Sequence, residues 1–397
     1  MDDLSRTYVE LAHAIEQHNP GYIDGYYGPE EWKVNERWSL PEVARRTDDL
    51  ATIIAGLQDE ERRAFLAAQV RALQTTVALL RGEQIPYTQE VRLLYDVEAE
   101  HVPEKGFEEA LATIDALLPG RGSLAAREQM FREQFEVAPE RLPALLDAIM
   151  QELRRRTCEL FELPEGESFV VQLVENEPWG AYNWYLGNYR SRIDINTDLP
   201  IYLTELPDLI AHEAYPGHHT EHAIKECHLF QELGRGEHSI LLINAPECVV
   251  SEGIATRARQ IVISDEALRE WLVDDLTKRA GLHDAPVETM LQIREAKKEL
   301  RGVTGNAALL LYEGGASDEE ILRYIQRYRL ATAEEACKSL QFMTHPNFRS
   351  YLFTYTRGGE LLDQLFERGE AINWFGRLLH EPVTPSTIRG WLGNAAS

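Results

Sequence analysis

The eight residues His212-Glu213-Ala214-Tyr215-Pro216-Gly217-His218-His219 constrain this chain more than any other stretch. They set a carboxylate directly beside a cluster of imidazoles. Imidazole nitrogens are standard zinc ligands, and zinc in hydrolytic sites takes three protein ligands and keeps one position open. His212 followed by Glu213 begins the H-E-x-x-H pattern, in which two histidines a turn apart hold the metal and the Glu is the base. Where the second histidine should stand there is Pro216, which has no ligand atom to offer. In one straight helix His218 would lie about 9 Å along the axis from His212, and His219 about 10.5 Å. Neither spacing lets two nitrogens come within about 2.0–2.1 Å of one ion. Pro216 interrupts helical hydrogen bonding and biases Tyr215 away from the α region, and Gly217 turns where other residues resist. The sequence therefore predicts a helix that bulges or breaks at Pro216-Gly217 and returns an imidazole to His212. His218 is the first choice, because looping out the Pro-Gly pair restores the ordinary ligand spacing; His219 is the second.

A third ligand is needed, and a carboxylate from a later helix often completes a His₂ site. The segment from Pro246 to Arg257 offers Glu247 and Glu252. Glu247 follows Pro246 at a predicted helix start, where a Glu is favourable for the helix dipole alone. Glu252 stands inside an apolar run next to Gly253, where an ionised carboxylate is costly unless a cation balances it. That leaves Glu252.

The rest of the chain sets the frame. With 397 residues it can bury a large core, and its 44% hydrophobic and 27% charged content is that of an ordinary globular protein. A net charge of −26 argues against a nucleic-acid partner, whose phosphates call for clustered Lys and Arg. No apolar run is long enough for a membrane span, and Met1 to Arg6 shows no secretory leader. Cys158, Cys227, Cys248 and Cys337 lie far apart and read as reduced thiols, which together point to the cytoplasm. Cys227 and Cys248, near the motif, read as small buried hydrophobes rather than ligands.

Helical periodicity runs through residues 1–165: Leu4, Tyr8, Leu11 and Ile15 before Pro20-Gly21, then 59–81 and 139–162. Ser168 to Val174 reads as a strand, and Tyr185–Tyr189 with Ser191–Asn196 as a hairpin-like unit. The expected fold is mainly α with a small antiparallel sheet beside the metal site, an N-terminal helical region 1–165 and a catalytic region 166–397 in one continuous unit. Such a sheet edge could take an extended peptide by strand addition.

The run His212 to His219 resembles the H-E-x-x-P-G-H-H signature of a bacterial uncharacterised-domain family of metallopeptidases or carboxypeptidases. That family carries a downstream Glu-Gly-Trp-Ala-Leu-Tyr-Ala-Glu segment, matched here by Glu252-Gly253-Ile254-Ala255-Thr256-Arg257-Ala258-Arg259. The resemblance spans residues 85–365 loosely and implies a zincin-like helical architecture with Glu252 as ligand. Ile254 and Arg259 replace the family's Trp and final Glu, which bears on the substrate pocket. A second family-like stretch, Thr354-Tyr355-Thr356-Arg357-Gly358, presents Tyr355 as a phenol for the oxyanion of a tetrahedral intermediate. Tyr351, four residues earlier, reads with it as an aromatic core ridge.

The sequence thus points to a zinc-dependent hydrolase of short peptides, with carboxypeptidase action as one form. One zinc ion would be held by His212, His218 (or His219) and Glu252. Glu213 would be the base, Tyr355 and the non-ligand His219 would assist, and Arg349 and Arg357 are candidates to grip a substrate carboxylate. The alternatives are a metallohydrolase of a non-peptide amide or ester, and a non-catalytic metal-stabilised binding scaffold.

Overall fold

Apolar residues at three- and four-residue steps form helices along most of the chain. Tyr8, Leu11 and Ile15 are buried on one face of the helix Asp3–Glu16, whose start is capped by the Asp2 carboxylate accepting from the Ser5 amide. The computed structural model describes residues 2–177, 179–198 and 200–394. In it the runs 59–81 and 139–162 become the helices Glu60–Leu80 and Leu142–Leu160. The chain is mainly helical, with two small sheets among the described residues. Among the described residues no helix is long and apolar enough to cross a membrane.

The larger sheet holds the strands Ser168–Val174, Ala181–Gly187 and Arg190–Asn196, with the last of these in the middle. It is mixed, which corrects the antiparallel sheet expected: Ser168–Val174 runs parallel to Arg190–Asn196, and only Ala181–Gly187 runs antiparallel to it. Connectivity is the reason. The chain passes from the first strand to the far side of the sheet and returns by a tight hairpin, so the hairpin's second strand becomes central. Its two turn residues, Asn188 and Tyr189, have φ of 53° and 58°, the pair of positive angles that matches strand twist in a two-residue loop. Both turn amides donate to the Glu226 carboxylate, at 3.0 and 3.3 Å.

The second sheet pairs Ile23–Tyr26 antiparallel with Ile240–Leu242. It corrects the uniformly helical reading of the N-terminal region. Strands of three and four residues are too short for alternation to register in a sequence. Apolar cores run across residue 165: one joins Tyr8, Leu11 and Leu66 to Ile240 and Leu242, and another joins Val91 and Tyr95 to Val249 and Phe353.

Candidate metal centre

The helix Leu206–Glu213 buries Leu206, Ile210 and Ala211 and ends on Glu213, and a new helix, His218–Lys225, starts after Gly217. In the break between them the Gly217 amide donates to the Ala211 carbonyl at 2.9 Å. The backbone there is so close to the preceding helix that a Cβ on Gly217 would collide with the His212 carbonyl oxygen. Only glycine permits that approach. The break brings the His212 and His218 rings to a centroid distance of 4.8 Å, with their planes 89° apart.

Glu252 reaches the pair from the helix Pro246–Val262. Its Oε2 lies 3.3 Å from His212 Nε2 and its Oε1 lies 3.9 Å from His218 Nε2. One ligand atom from each of the three residues lies within 4.8 Å of the others. The Tyr351 hydroxyl donates to Oε1 at 2.7 Å, while Oε2 is buried with no properly aligned hydrogen-bond donor. A buried carboxylate oxygen without a donor, next to the His212 imidazole, is costly as it stands, and a divalent cation would satisfy it. Two nitrogens and a carboxylate oxygen fit zinc. Close helix packing sets this up: a Cβ on Gly253 would come within 2.8 Å of the Gly358 carbonyl oxygen, so Pro246–Val262 and Leu352–Phe366 cross backbone to backbone.

His218 is held from behind. Its Nδ1 lies 3.0 Å from Ser251 Oγ, which donates at 2.6 Å to Glu221 Oε2, and Lys225 Nζ donates at 2.6 Å to the other Glu221 oxygen. Ser251 has one hydrogen and gives it to Glu221, so its oxygen must accept from His218 Nδ1–H. That fixes the tautomer and leaves the Nε2 lone pair facing Glu252. His218, Glu221 and His222 form a second donor cluster. It shares His218, and its carboxylate is already engaged by Ser251 and Lys225, so it reads as support for the first. Burial pushes His222 down to about 3, which keeps its imidazole neutral at physiological pH.

The charges are strongly coupled. Burial pulls the His212 pKa down, but Glu252 and Glu213 outweigh it and hold the imidazole at about 9. Burial raises the Glu213 carboxyl above its ordinary range, against the pull of His212 and His218. For Glu252 burial also acts upward, but His212, His218 and Tyr351 prevail and its pKa falls. A cavity of about 250 Å³ opens on His212, Glu213, His218, Glu252 and Tyr355. The Glu213 backbone carbonyl accepts from Asn183 Nδ2 at 2.6 Å. Its carboxylate makes no hydrogen bond among the described residues and is left to face the cavity.

Other candidates lie elsewhere. His219 is corrected from a catalytic or ligand role: it is 1% exposed, with Nδ1 2.8 Å from Ser191 Oγ and Nε2 3.0 Å from Glu167 Oε2. Being next to His218 in a helix turns it about 100° away, toward the sheet. Arg349 forms a bidentate pair with Glu90, and Arg357 pairs with Glu360 and Glu100, so neither lines the cavity. Ile254 is buried in the core beside Ile210, and Arg259 is paired with Asp208 and Asp265, so the pocket is not shaped by either. The strand edge expected to take a peptide is partly covered, since a Cβ on Gly25 would sit 3.4 Å from the Tyr185 carbonyl oxygen.

Glu247 does more than start a helix. It lines the cavity, accepts from Gln69 Nε2 at 2.6 Å, and is raised by burial to about 7, with Lys225 opposing and Glu221 adding to the rise. A carboxyl whose folded pKa exceeds its unfolded value contributes stability below about 4.5 that is lost as pH rises through about 7. Glu247→Gln removes that dependence. Its stability relative to wild type should improve by roughly 2 kcal/mol between pH 4.5 and 8, read as urea midpoints at the two pH values; an unchanged difference would contradict the burial of this charge.

Tyr351, Ser251, Glu221, Asn183 and Asp24 were not singled out as site residues by the sequence. Ser251 adjoins Glu252, and Glu221 lies one turn past His218, spacings that could have raised them. Asp24 and Asn183 carry no such signal.

No protein-family model matches the chain, and no curated protein is similar to it. Its fold is similar to that of a "putative lipoprotein" from Colwellia psychrerythraea: TM-score 0.54 and 14% identity over 90% of this chain and 70% of that one. A "putative lipoprotein of unknown function" from Shewanella oneidensis gives a TM-score of 0.46 and 14% identity over 89% and 72% of the two chains. At such identity the likeness is one of fold alone. The assignment to a metallopeptidase family drawn from the motif is therefore corrected: no family model matches the chain, and the neighbour from Colwellia psychrerythraea is described as a putative lipoprotein.

Proposed function

We propose that this chain is a metal-dependent hydrolase acting on the peptide bonds of short peptides, with one zinc ion held by His212, His218 and Glu252. The observation that carries this reading is the Glu213 carboxylate, without a partner among the described residues, in the lining of the same cavity as three converging metal donors. A purely structural zinc site closes with four protein ligands and has no use for such a base. A zincin-like arrangement, in which the His-Glu helix and a later glutamate helix bracket one ion, belongs to this proposal.

Zinc at such a site would supply Lewis acidity and a water made more acidic. Glu213 takes the proton of the attacking water and passes it to the leaving amine, a role suited to a carboxyl whose pKa burial has raised. Tyr355 lines the cavity, and in this reading its hydroxyl donates to the oxyanion. Tyr351 orients Glu252, and the Ser251–Glu221–Lys225 chain orients His218.

Chelation tests the proposal. Protein stripped of metal should cleave no member of a dipeptide and tripeptide panel, and one equivalent of zinc should restore cleavage. Equal cleavage by stripped and reloaded protein would remove the metal from the reaction. No cleavage by protein holding stoichiometric zinc would remove peptides as the substrate.

A further inference from the structure

One carboxylate oxygen in the lining of the cavity has no donor among the described residues. Asp24 reaches the cavity from the strand Ile23–Tyr26. Its Oδ1 accepts from the Tyr182 hydroxyl, and its Oδ2 has no donor among the described residues. Asn183 stands on the strand Ala181–Gly187. Its Nδ2 donates to the Glu213 carbonyl at 2.6 Å, and reversing the amide would set two oxygens against each other, so the orientation is fixed. That leaves Asn183 Oδ1 without a donor among the described residues and buried in the wall of the cavity, in a residue only 8% exposed.

Outside the three metal donors, the charged side chains lining the cavity are the carboxylates Asp24, Glu213 and Glu247. Among the described residues neither a guanidinium nor a lysine ammonium lines the cavity. A substrate carboxylate would find no bidentate partner there and would meet Asp24, Glu213 and Glu247. A cation finds the reverse. Trp179, Tyr182 and Phe348 are aromatic residues of the lining, and aromatic rings attract ammonium groups through the ring quadrupole. Asp24 can form a charge-assisted hydrogen bond through Oδ2, the oxygen that Tyr182 leaves free. Asp24 and the donors His212, His218 and Glu252 line one and the same cavity.

We infer that Asp24 anchors a subsite for a primary ammonium group, and that the substrate is a short peptide engaged through its free amino terminus. The identity of the cleaved bond rests on the hydrolase reading above; the ammonium subsite itself does not. The carboxypeptidase form of that reading has no counterpart in the lining of the cavity.

Calorimetric titration of zinc-loaded, full-length protein with phenylalanine amide and N-acetylphenylalanine amide separates the two. The free amine should bind about tenfold or more tightly than its acetylated twin, as a charge-assisted bond demands. Asp24→Asn, nearly isosteric, should cut that preference to about twofold or less with zinc content unchanged. Equal affinities in wild type, a comparison needing no variant, would overturn the subsite, as would an undiminished preference in Asp24→Asn. Cleavage of acetylated and free peptides alike, with no amine preference in binding, would leave the hydrolase standing and sink this inference. Amine-selective binding without cleavage of any peptide would do the opposite.

Discussion

Glu213→Gln is expected to keep its zinc and lose its chemistry. Gln preserves the size of the side chain and the backbone carbonyl that Asn183 holds at 2.6 Å, and Glu213 is not one of the three donors that come together. Metal content by elemental analysis should therefore match wild type. Peptide cleavage should fall by about 100- to 10,000-fold, the usual worth of a positioned general base. An amide cannot accept the proton of water at neutral pH, so no compensating path runs through this position. Retention of activity within a factor of a few would show that the carboxylate is not the base.

The two adjacent histidines should respond in opposite ways. His218→Ala should lower zinc affinity by well over the 10- to 100-fold typical of losing a group that merely orients a ligand, since it removes one of three donors while Glu252 stays buried. His219→Ala should keep its zinc and lose stability instead, by about 2–4 kcal/mol. That imidazole bridges Ser191 and Glu167, and Glu167 also accepts from Tyr215 at 2.6 Å and from Arg154 at 2.6 Å. Dialysed metal content and chemical denaturation of the metal-free forms separate the two effects. If His219→Ala lost the zinc and His218→Ala kept it, the geometry of the donor cluster would be wrong.

The interruption at Pro216-Gly217 is readable from the sequence because it is steric and local. A proline inside a helix and a glycine after it act on neighbours within four residues. The same locality explains why the helices Asp3–Glu16, Glu60–Leu80 and Leu142–Leu160 coincide closely with their apolar repeats. The mixed sheet is different. Each larger strand shows in its own residues, but which strand lies in the middle depends on the path of the whole hairpin. Glu247 shows the same gap on a smaller scale: its place in the first turn of a helix is evident, whereas its burial against Gln69 depends on a helix 178 residues away.

Residues 212–219 alone carry the break in the helix and a carboxylate beside a histidine pair, because those follow from the order of neighbouring side chains. Choosing His218 over His219 needed the rotation of the second helix, which aims one imidazole at Glu252 and the next at Glu167. Glu252 needed more. Its oxygens meet His212 and His218 because Gly253 and Gly358, 105 positions apart, let two helix backbones touch. Asp24, Asn183 and Tyr351 join the same cavity from three further segments. Contacts at such separations are set by which apolar faces bury one another, and no short stretch of sequence contains that information.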